Sequence, residues 1–101
     1  MDSDDKITEA LLAAVDEVNE MRAPDEKVSR DLDAPLIGER GSLDSLGLVN
    51  FAVAAEERLA AALDTGVTLT DAIGDSPAES PFRTLRALVA HVTTRLAAAR
   101  T

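Results

Sequence analysis

The residues best placed to do chemistry lie in Gly41-Ser42-Leu43-Asp44-Ser45-Leu46-Gly47-Leu48-Val49. Ser45 stands where an irregular stretch gives way to a helical one, so its hydroxyl is expected, exposed, at the first turn of a helix. The leading N–H groups of a helix lack intrahelical acceptors and sit at the positive end of its dipole, which favours a phosphate. A phosphodiester on Ser45 would therefore lie in a favourable field. Asp44 does nothing obvious for an anion, but it could bind the metal or a basic residue of an enzyme that modifies Ser45. Asp-Ser-Leu taken alone also reads as a helix cap followed by a core leucine, so the surroundings must decide.

Other chemistry finds little support. The chain has no cysteine, which removes disulfides, thiolate metal sites and a cysteine nucleophile. His91 is the one histidine and belongs at the edge of an apolar helical face. No Gly-x-Ser-x-Gly elbow surrounds Ser45, as a serine hydrolase would need. Asp4-Asp5 and Asp31-x-Asp33 do not follow the spacing of a calcium-binding loop. The chain does not read as an enzyme.

The elements that must position Ser45 can be read from apolar spacing. Ile7, Leu11, Leu12, Val15 and Val18 recur as one helical face, with Asp2, Ser3 or Asp4 as a cap and Pro24 just beyond, predicting a helix over about 4–21. Residues 22–43 lack a period and are punctuated by Pro24, Pro35, Gly38 and Gly41. Leu32, Leu36, Ile37 and Leu43 within them suggest a long loop pinned to the core. A second helix begins at Asp44 or Ser45 and runs to about 63, with Gly66 as its stop. Thr70, or Ser76 with Pro77 and Glu79, could open one short helix. Ser80-Pro81-Phe82 opens the last, whose face is Phe82, Leu85, Leu88, Val89, Val92 and Leu96. Arg95 and Arg100 there suit the negative end of its dipole. The expected fold is all-α: a small antiparallel bundle of three main helices plus one short helix, with a long first loop.

The 101 residues suit a single domain spanning 1–101, frayed at about 1–3 and 98–101. Two Phe are the only aromatics, so the core must be mostly aliphatic. Net charge is −9. Residues 1–43 carry twelve acids against five bases, and residues 44–80 carry seven against Arg58 alone. Residues 81–101 carry four arginines and no acid. Such a body repels nucleic acid and steers toward basic protein surfaces, although acidity also serves solubility alone. The first residues lack the basic and apolar regions of a signal peptide, and no apolar run is long enough to cross a bilayer. A cytoplasmic monomer is expected.

Over nearly its whole length the chain resembles the acyl carrier proteins. That family has Asp-Ser-Leu at the head of its second helix after a long first loop, and Asp44-Ser45-Leu46 stands in that place. Val49, Glu56-Glu57, Leu59 and the opening Phe82-Arg83-Thr84-Leu85-Arg86-Ala87-Leu88-Val89 also look like it. The resemblance implies that Ser45 takes 4′-phosphopantetheine from coenzyme A through a phosphopantetheinyl transferase. The arm would then hold an acyl group as a thioester. Acyl-loading and acyl-transfer enzymes with basic docking patches would recognise Asp44, Leu46, Leu48, Val53, Glu56 and Glu57. Gly47, Leu48 and Asn50 replace polar or acidic residues usual in fatty-acid-synthesis carriers, and segment 64–81, the N-terminal region and the first loop are extended. These departures suggest a specialised freestanding carrier in a lipid, fatty-acid or polyketide pathway. Leu43-Asp44-Ser45 is also reminiscent of D-alanyl and peptidyl carriers, and an unmodified acidic helical adaptor would keep the same fold.

The expected core is Leu11, Val15, Val49, Ala52, Leu59, Leu85, Val89 and Val92, with Leu46 as core more than contact. Leu48 and Val53 fall off the Val49–Ala52–Leu59 stripe, and if exposed they would mark a docking surface. The small Ala52 and Ala55 imply either a close helix approach or room for an acyl chain.

Overall fold

The computed structural model describes residues 3–38, 41, 43–64, 66–74 and 80–99. Three α-helices carry the chain: α1 (Ser3–Asn19), α2 (Ser45–Leu63) and α3 (Leu85–Ala99). No strand occurs among the described residues; Pro35 and Thr84 form an isolated antiparallel bridge. α1 packs along α2 and also against α3. The radius of gyration, 12.7 Å, is that of a compact chain of this length.

α1 ends two residues earlier than its apolar spacing predicts, because Asn19 captures the returning chain. Its Nδ2 donates to the Val28 carbonyl at 2.9 Å, and its Oδ1 accepts the Val28 N–H at 2.7 Å. α2 spans the expected residues, but its terminator is Asp64, which takes the left-handed conformation (φ 53°, ψ 37°) two residues before Gly66. Asp tolerates that region better than most side chains.

The expected fourth short helix is not formed as such. Three single 3₁₀ turns appear instead, at Pro24–Glu26, Thr70–Ala72 and Pro81–Arg83. The start signal at Ser76-Pro77 and Glu79 lies outside the described residues, as do the expected cap at Asp2 and Arg100. The last helix also divides differently. Ser80 caps the Pro81 turn, its Oγ accepting the Phe82 N–H at 3.0 Å, and the extended Thr84 then caps α3 by accepting the Ala87 N–H at 3.0 Å. Arg95 reaches back to the Thr68 carbonyl and to Asp71, both at 2.9 Å, and so ties α3 to the loop after α2.

The core holds Leu11, Val15, Ala52, Leu59, Leu85 and Val92 as expected, together with Ile7, Phe51, Leu69, Phe82 and Leu88. Phe51 and Phe82 meet edge to face with ring centres 6.4 Å apart, joining α2 to the turn before α3. Ala52 and Ala55 are wholly buried. Val89 is only half-buried, and Val49 lies outside the core.

Candidate functional site

The first loop is what delivers Ser45. Val28, Leu36 and Leu43 are buried, so the segment is pinned at intervals, as its isolated apolar residues imply. The Leu36 N–H donates to the Arg83 carbonyl and the Arg86 N–H to the Leu32 carbonyl, each at 3.0 Å. The Leu43 N–H returns to the Leu36 carbonyl at 2.9 Å. A salt bridge between Arg86 Nε and Asp33 Oδ1 at 2.6 Å closes this clip over the start of α3. The Arg86 hydrogen bond holds the Asp33 carboxyl below its ordinary pKa, and Asp33 raises that of Arg86. Asp31 accepts the Asp33 N–H at 2.9 Å, so Asp31-x-Asp33 is a turn. At Gly41 any Cβ would collide with the Leu36–Ile37 backbone, so the approach to the motif requires glycine there.

Asp44 is the N-cap of α2, with extended backbone (φ −84°, ψ −174°). Its Oδ1 accepts the Gly47 N–H at 2.7 Å, and its carbonyl accepts the Leu48 N–H at 2.8 Å. The N–H groups of Ser45 and Leu46 lead the helix, where no intrahelical carbonyl is in reach of them. Ser45 is the first helical residue, and it is exposed. Gly47 is buried, and a side chain there would crowd this cap: a Cβ would stand 3.1 Å from Asp44 Oδ1, 3.2 Å from Arg22 Nη1 and 3.3 Å from Leu43 Cδ2.

The phase of α2 differs from the expected one. Leu48 is only 7 % exposed and belongs to the core, whereas Leu46 is 71 % exposed, Val53 43 % and Val49 40 %. Two apolar sets share helical spacing on this helix. The set containing Phe51 is buried, because the large ring fills the space toward Phe82, and Leu48, Ala52, Ala55 and Leu59 go in with it. Leu46, Val49 and Val53 are turned outward on the opposite side, with Asn50 and Glu57 beside them. Val53 therefore lies where a docking surface would need it and Leu48 does not.

The two glutamates also separate. Glu57 is exposed, but Glu56 is half-buried and its Oε2 accepts the N–H groups of Leu69 and Thr70 at 2.6 and 3.0 Å. Glu56 thereby holds the loop after α2 and is withdrawn from the acidic face expected of it. Arg58, the one base of α2, faces Glu17 of α1 at 3.3 Å.

Met21, 92 % exposed, and Arg22 adjoin this face from the end of α1, and neither is marked by the sequence pattern. They sit in an aperiodic segment, and only the turn set by Asn19 brings them beside α2. Val49 could have been found by drawing both apolar sets of α2 in place of one. Among the described residues no helix is long and apolar enough to cross a membrane. No protein-family model, curated protein or solved structure matches the chain.

Proposed function

We propose that this chain is an acyl carrier protein, carrying its cargo as a thioester on 4′-phosphopantetheine attached to Ser45. The observation that carries the reading is the presentation of Ser45: an exposed hydroxyl on the first residue of a helix, held out by a long pinned loop. The residues present suit the group. Its phosphate would lie by the leading N–H groups of Ser45 and Leu46, and Arg22 comes within reach of the same helical turn. Asp44 keeps that turn formed, and Gly47 keeps it uncrowded.

When bound, the arm supplies a thiol that forms the thioester; bond making and breaking belong to the partner enzymes. This chain's part is presentation. Leu46, Val49 and Val53 offer an apolar strip beside Ser45, and Asp44 and Glu57 frame it with negative charge. Such a surface suits a phosphopantetheinyl transferase and acyl-transfer enzymes whose docking patches are basic around an apolar centre. A specialised lipid, fatty-acid or polyketide pathway in the cytoplasm, served by a monomeric carrier, fits this reading. An aminoacyl, D-alanyl or peptidyl cargo would use the same surface.

The test is the intact mass of the protein before and after incubation with coenzyme A and a promiscuous phosphopantetheinyl transferase. One added phosphopantetheine, absent in Ser45→Ala, is the expected result. No addition to folded protein in the presence of active transferase would refute the proposal and leave an acidic helical adaptor that docks through the same strip.

A further inference from the structure

A groove of about 600 Å³ runs between the end of α1 and the first turns of α2. Its apolar walls are Val18 and Met21 on one side and Leu46, Val53 and Ala54 on the other, with Asn50 between them. Asp44 lines its mouth, so the groove opens directly beside Ser45. Arg22 is the single base among its described lining residues, and its Nη1 lies at the first turn of α2, 3.2 Å from where a Gly47 Cβ would stand. The Arg22 Nε donates to the Glu26 carbonyl at 2.7 Å, which holds the guanidinium at this end.

We infer that this groove is the resting cradle of the chain's own prosthetic arm. The inference rests on the carrier reading above and adds to it where the arm lies when no partner is engaged. The chemistry of the two surfaces matches in order. Next to Ser45 the arm has a phosphodiester anion, which meets Arg22. Its dimethyl-bearing carbon, next along, would pack against Leu46 and Met21 beside the first turn of the helix. Its amides would then pass Asn50, whose carboxamide can both donate and accept, with Val53 about one turn further along. From Ser45 to Glu57 the helix advances about 18 Å, so the groove accepts the arm laid along α2. Glu57 stands at the far end, beside a Glu17 already paired with Arg58, so a thiol or a neutral acyl group is tolerated there but a carboxylate-ended cargo would be repelled by Glu57.

The test compares amide and methyl spectra of the apo protein and of the protein carrying unacylated phosphopantetheine, with the addition verified by mass. Shifts are expected at Val18, Met21, Asn50, Val53 and Ala54, with cross-relaxation between the arm's geminal methyls and the methyls of Met21 and Leu46. In Met21→Lys, a change at an exposed residue, these contacts should vanish and the arm's thiol should be alkylated several-fold faster. Verified addition with shifts confined to residues 44–47, or centred on Ala52, Ala55 and Leu88, would overturn the cradle and leave the carrier reading standing. Absence of addition would overturn both.

Discussion

Truncating Leu48 and Leu46 separately to alanine tests the phase of α2, on which the docking strip depends. The two leucines are two residues apart on one helix and remove the same atoms when truncated, so helix propensity and chemistry cancel between them. Leu48 is 93 % buried by its 7 % exposure, and Leu→Ala at such a site costs the transfer of the lost carbons plus the cavity left behind, about 2–4 kcal/mol. Leu46 keeps 71 % of its surface in water, so less than a third of a full leucine burial is at stake, roughly half a kcal/mol. Against a total stability of about 5–15 kcal/mol the contrast is large. In melting temperature, Leu48→Ala should fall by about 10–20 °C and Leu46→Ala by a few degrees. Urea titrations followed by far-UV circular dichroism would measure both, with unchanged slopes as the check that the denatured state is the same. A Leu46→Ala variant as unstable as Leu48→Ala, or more so, would refute the assigned faces and remove the strip with them.

Glu56→Ala should cost about 1–3 kcal/mol, since the N–H groups of Leu69 and Thr70 lose a charged acceptor while Leu69 stays buried. Glu56→Gln, which keeps an acceptor oxygen, should cost less, and amide exchange at residues 69 and 70 should accelerate in the order wild type, Gln, Ala. Asp33 has a pKa below its ordinary 3.8, chiefly through the Arg86 hydrogen bond. A carboxyl depressed on folding contributes stability above its unfolded pKa and loses it as pH falls through the folded value. Stability should therefore drop below about pH 4 by an increment absent in Asp33→Asn, and salt should shrink it because the pair is exposed. Identical acid limbs for the two proteins in urea titrations across that range would dismiss the clip as a contributor.

The helical class was legible because local rules agree with one another here. The aliphatic faces of α1 and α3, the capping residues before α2 and the lack of strand-type runs all point the same way, and the observed span of α2 is the expected one. The pinned loop was legible from Leu36 and Leu43, apolar residues in an aperiodic stretch that have no other use than burial. A cap at Asp44 or Ser45, with the Ser45 hydroxyl exposed at the first turn, follows from chemistry within four residues, and the structure gives the cap to Asp44.

What escaped the sequence depends on contacts between elements. Leu46-Val49-Val53 and Leu48-Phe51/Ala52-Ala55-Leu59 are both spaced as helical faces, and periodicity alone cannot choose between them. Phe82, 31 residues away in the chain, makes the choice by offering Phe51 a ring to pack against. Glu56 looks like its neighbour Glu57 until the loop at Leu69 and Thr70 folds back and presents two N–H groups to it. Arg22 and Met21 reach Ser45's helix only through the turn that Asn19 makes with Val28. The sequence by itself determined where the three main helices lie and that Ser45 heads one of them, because capping and propensity act over a few residues, but not that the short segments stay single turns. Tertiary packing alone decided which side of α2 faces water, since a helix with two apolar faces buries the one its neighbours can fill.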